Sequence, residues 1–408
     1  MADEPLQGHI KPSGHINKQF ARWEARERGG WQCLARDRRE SIALLGAAVA
    51  WPLTARAQQA GKLATISVNA LQPPPPPLFS ITPGVEFTTS AWCYQRLAPN
   101  APLDPNSAGI VSFFLNAVAA AGPLANGMQI PIFRVDSSVP RVPVAVYADP
   151  GPWTDQLTQQ FAAGVPIPPN FYTENQADAE AVIYSPATHE LWEGWAWSKD
   201  ATTGKWSINW GGYQADLRQS DGTWAPQPPS GIKGGMTAGG VHYTSFAVTF
   251  GDLKAQAINH PVGIVIPTGT ARSDVWNRPP AWRCDGFPPQ IDPNAVPYGA
   301  IFRLPANLDL NQFPATQWDG VSVKTHWRLV AEAIQNYGMI PYDQGGGWLL
   351  GGEEPGVYGG ASVVIDADPI LSQVMGNPHP WGYDNQYVQQ TDFPFTHLQV
   401  LRMNLVGP

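Results

Sequence analysis

The chain has 408 residues, with 25 Lys and Arg against 33 Asp and Glu, a formal charge of −8. No run of basic residues follows residue 57, which excludes a phosphate-backbone partner and an anionic membrane surface, since both are held by clustered Lys and Arg. Gly and Pro number 40 and 42 beside 17 tryptophans. Disordered chains are poor in aromatics, so the composition predicts a folded, turn-rich, mainly β protein, with an antiparallel sandwich or jelly-roll-like domain, two or three packed helices and long loops.

In chain order, the first feature is Arg38-Arg39-Glu40-Ser41, an apolar run from Ile42 to Leu53, and Ala55-Arg56-Ala57. Positive charge, a short apolar core and small residues at −3 and −1 form a cleavable secretory signal and not a membrane span. The paired arginines point to the twin-arginine route, with cleavage before Gln58 and delivery to the periplasm or the exterior. Residues 58–77 end in Pro73 to Pro77, a stiff spacer. Residues 78–408 then read as one large β-rich domain or two tightly packed halves. Removing residues 1–57 takes away 9 basic and 6 acidic residues and leaves 16 and 27, a formal charge of −11. Of the cysteines, Cys93 and Cys284 remain; they form one disulfide or stay as two thiols, and no Cys-x-x-Cys metal spacing is present.

Asp104-Pro105-Asn106-Ser107 predicts a helix start, with Val111, Phe114, Leu115 and Val118 on one face and Gly122 as its stop. A second helix is expected over about 155–163. Period-two segments at Gln129 to Val135, Val142 to Tyr147 and Ala181 to Tyr184 read as strands. His189 to Ser198 and Lys205 to Gln214 read as one long hairpin, with His189, Leu191, Glu193, Trp195 and Trp197 sharing a face, and Trp206, Ile208 and Trp210 another. Strands follow at Tyr243 to Phe250 and Ile258 to Pro267. Val323 to Tyr337 carries an apolar helical stripe and ends before Gly338. Met339 to Asp343, Ser362 to Asp366 and Thr396 to Met403 complete the expected strands.

The segment Ala331-Glu332-Ala333-Ile334-Gln335-Asn336-Tyr337-Gly338-Met339-Ile340, with Asp343 and Gly345, resembles part of a large family of secreted bacterial proteins. Asp104-Pro105-Asn106-Ser107, Gln129-Ile130-Pro131-Ile132, Val165-Pro166-Ile167-Pro168, Leu191-Trp192-Glu193, Trp210-Gly211-Gly212, Ile258-Asn259-His260 and Gly299-Ala300-Ile301-Phe302-Arg303-Leu304 look like that family's landmarks in the same order. The likeness spans roughly Trp92 to Gly352. It implies a β-rich secreted domain and carries no activity with it. One departure is clear: where the family has a Ser/Asp-Arg-His triplet before the Glu193 strand, this chain has Ala179-Glu180-Ala181.

Glu193 is the leading candidate for chemistry. Alternation sets it between Leu191 and Trp195, and apolar walls raise a carboxyl pKa, which suits a general acid to a glycosidic oxygen. A glycosidase needs a second carboxylate, about 5 Å away for retention or about 6.5–9.5 Å for inversion; Asp216 and Asp285 are the expected partners. Trp195, Trp197 and Trp210 would be sugar platforms, with His189 and Arg303 as further substrate contacts. The expected function is thus an exported glycoside hydrolase acting on an extracellular polysaccharide or oligosaccharide, and a monomer. Two rivals stand beside it: a non-catalytic carbohydrate-binding or envelope protein, and a uronate lyase using His260 as base and Arg303 to neutralise a carboxylate, with Tyr337 as acid. No cofactor is expected. His189, His242 and His260 lack a recognised metal-ligand spacing, and Asp366-Ala367-Asp368 is the one calcium candidate.

Overall fold

In the computed structural model the described residues are 77–407, apart from 84, 148–151, 175–177, 225–233, 285–287, 360 and 377–386. The export signal, all but the last residue of the spacer, and Asp285 lie outside them. The elements that frame the site are α1 (Ser107–Ala121), β1 (Leu124–Ile130), β2 (Ile132–Arg134), α2 (Pro152–Ala162), β3 (Ala181–Ser185), β4 (Glu190–Trp195) and β5 (Trp210–Gln214). They continue with α3 (Phe250–Lys254), β6 (Val262–Pro267), β7 (Phe302–Arg303), α4 (His326–Asn336), β8 (Met339–Gly345), β9 (Leu349–Glu353), β10 (Tyr387–Val388) and β11 (Gln399–Val400).

A seven-stranded sheet has the order β10-β1-β9-β6-β8-β7-β11, and a four-stranded sheet the order β5-β4-β3-β2. The chain is mainly β with packed helices, but both sheets are mixed. β1 with β9, β6 with β8, and β2 with β3 run parallel. Parallel neighbours need a long crossover, and the helices serve that purpose. α2 lies in the connection from β2 to β3, and α4 in the connection from β6 to β8. An antiparallel order treats those helices as additions to the sheets and misses their role as links.

The four-stranded sheet is buried on both faces. Val182, Tyr184 and Leu191 join the large apolar cluster that includes Ile264, Ile266 and Leu350 of the other sheet. Ile183 and Trp192 point the opposite way, into a second cluster with Phe133, Leu157 and Phe161. Successive strand residues face opposite sides, so one strand can feed two cores. This explains where the tryptophans go: Trp192, Trp224 and Trp348 are fully enclosed core residues.

Several expected elements change. Tyr243 to Phe250 is not a strand: Tyr243–Ser245 is a 3-10 turn and Phe250 opens α3. There Thr249 and Asp252 form a reciprocal capping box, a helix-start signal that the run of bulky residues hides. Residues 361–364 are helical where a strand was expected. The expected long hairpin is split, because β4 pairs with β5 while Ser198–Lys199 pairs with Trp206–Ile208 in another sheet. Cys93 and Cys284 are both free, the first buried and the second donating from Sγ to the Ser273 carbonyl at 3.1 Å.

Candidate functional site

β4 lies between β3 and β5, with Glu193 opposite Val182 on one side and Gly212 on the other. Its expected face stops at Trp195, because Ala196 adopts φ 56° and donates its N–H to the Asp178 carbonyl. That left-handed residue breaks the two-residue period and sends Trp197 into the second cluster, where its Nε1–H reaches the Ala181 carbonyl at 3.3 Å. Trp197 is therefore a core residue and not a platform. Gly194 is required here, since a Cβ would lie 2.3 Å from Trp197 Nε1. At the other end His189 has φ 59° and sits in the turn before the strand, with Nδ1 3.4 Å from Tyr184 Oη.

Glu193 is 0% exposed. Its Oε1 accepts the Tyr243 N–H at 2.8 Å, with the Met236 and Thr244 amides also turned toward the carboxyl. Burial pushes the carboxyl up to about 8 despite these amides, so it carries a proton at neutral pH. His242 Nδ1 lies 3.9 Å away. Its ring is stacked on Trp224 at 3.6 Å with Phe87 edge-on, and burial drives the imidazole down to about 3. The two groups meet as neutral acid and neutral imidazole, not as an ion pair. Glu193 fastens the segment 236–244 to the sheet from a position closed to solvent.

A second acidic group lies at the margin of the same strands. Asp178-Ala179-Glu180 leads into β3 along the end of β4: Trp195 Nε1 donates to Asp178 Oδ1 at 3.0 Å, and the Trp197 N–H to the Ala179 carbonyl at 3.0 Å. Segment 234–240 then ties the two sheets together here. The Gly235 N–H reaches the Gly211 carbonyl of β5, and the Gly239 N–H reaches the Tyr342 carbonyl of β8. The next residue of β8, Asp343, accepts the Ala238 N–H at 2.9 Å and the Gln344 N–H at 2.8 Å. Glu180 is 4% exposed, and its proton is held well above the usual carboxyl range, by burial first and then by Asp343, Asp178, Glu174 and Glu193. Asp178 and Asp343 are half-buried. Trp195 and Trp210 keep partial exposure beside them, with the Arg283 guanidinium 5.2 Å over the Trp210 ring. A buried acid beside carboxylates and aromatic faces can deliver a proton to a bound sugar.

The other expected residues do not join this group. Asp216 follows β5 near His189, caps the next turn through the Arg218 N–H, and takes two further Arg218 donors at 2.9 Å each, which lowers it to about 2. It stands four strand residues past Gly212, the partner of Glu193, a run of roughly 13 Å, so it does not pair with Glu193. His260 precedes β6 and is sealed, with Nε2 3.2 Å from Asp252 of the capping box and Nδ1 2.7 Å from the Pro261 carbonyl. Arg303 is 7% exposed and spends its donors on Gln399 and the Ala98 and Pro99 carbonyls. His260 and Arg303 are structural ties. Asp368, from the calcium candidate, caps a helix at Ile370 and Leu371 and pairs with Lys254 at 2.6 Å. Among the described residues no three His, Cys, Asp or Glu converge as a metal site. A shallow groove of about 700 Å³ between α1 and the ends of β6 and β8 contains none of the carboxylates named above.

Glu180, Tyr342 and the Trp224–His242 stack were absent from the candidate residues, and Asp343 entered only as a family landmark. For Glu180 a local signal existed, a lone carboxylate between alanines at the mouth of an apolar strand. The others come together through strand pairing across two sheets, which spacing along the chain does not encode. The chain matches no family model, no curated protein and no solved structure.

Proposed function

We propose that the protein is an exported glycoside hydrolase that cleaves an extracellular polysaccharide by carboxylate acid/base catalysis, with Glu180 as proton donor in place of Glu193. The observation that carries this is the position of Glu180: almost wholly buried at a sheet margin, with Asp343, Asp178, Glu174 and Glu193 around it. Such an acid keeps its proton until a glycosidic oxygen is brought to it. Asp178 or Asp343 supplies the second carboxylate, and Trp195 and Trp210 supply ring faces for sugar. The Arg38-Arg39 leader supports export, and the apolar cluster shared by both larger sheets supports a sandwich-like packing.

One feature favours a carbohydrate-binding protein instead. Both Asp343 oxygens already accept amide N–H groups, which reduces the basicity a hydrolase needs from that residue. Uronate elimination lacks support, because His260 and Arg303 are both engaged in structural contacts. Incubation with neutral and charged polysaccharides, followed by assay of new reducing ends, separates the readings. Glu180→Gln should lower the rate by about 10²–10⁴-fold and leave binding intact. Binding without any cleavage on the panel would leave the binding-protein reading.

A further inference from the structure

β6 and β8 run parallel and end at Pro267 and Gly345. The chain then leaves β8 through Gly346 and Gly347 and crosses the end of β6 to reach β9 on its other side. In open sheets, ligands gather outside the carboxyl ends of parallel strands. The groove of about 700 Å³ beside α1 lies there, and its volume is ordinary for a small-ligand site. Its frame is braced from both sides. Thr268 donates its N–H and its hydroxyl to the Gly345 carbonyl, each at 2.9 Å, and the Gly269 N–H reaches Gln344 Oε1 at 3.0 Å. Trp348 Nε1 donates to the Gly122 carbonyl at the end of α1 at 2.9 Å. Walls already fixed in this way lose little freedom when a ligand enters.

α1 contributes Phe113, Asn116, Ala117 and Ala120, whose spacing of three and four sets them on one helix face. The strand ends contribute Thr268 and Thr270. Thr270 is 1% exposed, and its backbone is satisfied: its N–H donates to the Pro267 carbonyl at 3.0 Å and its carbonyl accepts the Val296 N–H at 2.9 Å. Its hydroxyl makes no hydrogen bond among the described residues. A buried hydroxyl is rarely left in that state unless something else completes it. The lining thus sets a phenyl ring and methyl groups beside hydroxyls and an amide, and every lining residue is uncharged. A sugar ring has the matching surface, with an apolar C–H face and a hydroxyl rim. An ion would give up its water there for no counter-charge, and an anion would also meet the negative end of the α1 dipole.

We propose that this groove binds a neutral saccharide, with Phe113 against the C–H face of a ring and the Thr270 hydroxyl and Asn116 amide bonded to its hydroxyls. The choice of a saccharide rests in part on the carbohydrate reading above, whereas the place of the groove is independent of where cleavage occurs.

The full chain is titrated calorimetrically with β-1,4-linked hexamers of glucose, mannose and xylose, with an oligogalacturonate, and with 1-octanol as an apolar probe. Reducing ends are assayed in parallel. A neutral hexamer should bind at least about tenfold more tightly than the oligogalacturonate. Thr270→Val, which removes the hydroxyl and keeps the branched shape, should weaken that hexamer about threefold or more while the melting midpoint stays at or above that of the parent. Ala120→Trp, at an exposed position of the helix wall, should block binding. Binding that both variants leave unchanged, a preference for the uronate, uptake of 1-octanol in place of the hexamers, or failure of all three neutral hexamers to bind overturns the site. So does a large drop in the Thr270→Val melting midpoint, since the hydroxyl would then be spent within the fold. Cleavage together with binding that ignores the groove variants overturns the groove and leaves the hydrolase reading standing. Groove-dependent binding without cleavage of any sugar supports the groove and overturns the hydrolase.

Discussion

Glu193 and Glu180 are two glutamates at the same end of one sheet, both held in the protonated form by burial, and they differ in what surrounds them. Around Glu193 stand the Tyr243 amide, a neutral His242 and the Trp224 ring stacked on it, all shut off from solvent. Glu180 is surrounded by other carboxylates at a margin where Asp178, Asp343, Trp195 and Trp210 retain some exposure. A raised proton affinity therefore does not identify a catalytic acid. Desolvation alone produces it in a structural tether; Glu180 is proposed instead for the like charges added to desolvation and for the partly exposed residues beside it.

The contrast can be broken or sharpened by mutation. The largest effect on stability is expected at the enclosed residue. Glu193→Ala strands the buried Tyr243 N–H and leaves a void, costing about 2–4 kcal/mol in a denaturant unfolding curve. Glu193→Gln keeps an oxygen acceptor and should retain turnover. If the Gln variant is folded and inactive, Glu193 is the acid and the contrast is wrong.

A pH series probes the same tether. Between about 4.5 and 8 the folded state holds a Glu193 proton that the unfolded chain has released, so stability falls as pH rises through that window. Glu353, also raised by burial to about 8, adds to the slope. His242 acts in the opposite direction: its lowered value means stability is lost as pH falls from about 6.5 toward 3. Thermal melts of Glu193→Gln should show a flatter fall toward alkaline pH, by on the order of a few kcal/mol across the window. An unchanged slope would mean that Glu193 is ionised in the fold.

The smallest effect is expected at Asp216→Asn. An exposed turn cap and ion pair contribute little, so the melting midpoint should barely move and the cleavage or binding assay should not change. A large loss of activity there would return Asp216 to the site.

Residues whose role depends on near neighbours were legible. The helix Ser107–Ala121, with its stop at Gly122, follows from apolar periodicity and a glycine at positive φ; its cap does not, since Asn106 and not Asp104 stands at the N-cap, without a side-chain bond, while Asp104 accepts the Asn106 N–H in the turn before it. The core of β4 and the Gly338 exit from α4 into β8 were legible in the same way. The burial of Glu193 was visible in its apolar surroundings, but its occupation by the Tyr243 amide was not. Trp197 was misread for a local reason, since alternation assumes that no residue turns left-handed, and Ala196 does. Tyr243 to Phe250 was misread because bulky residues in a row resemble a strand, while Thr249 and Asp252 start a helix.

By itself the sequence determined that this is an acidic, tryptophan-rich, mainly β protein with a few strong helices, because composition, period and caps act over a few residues. Only the tertiary structure decided that the helices link parallel strands and that His260 and Arg303 are ties. It also decided that Asp343 of β8 is among the carboxylates that act on Glu180 at the entry to β3. Those facts depend on which distant strands pair, and pairing is settled by the packing of whole faces that no local pattern contains.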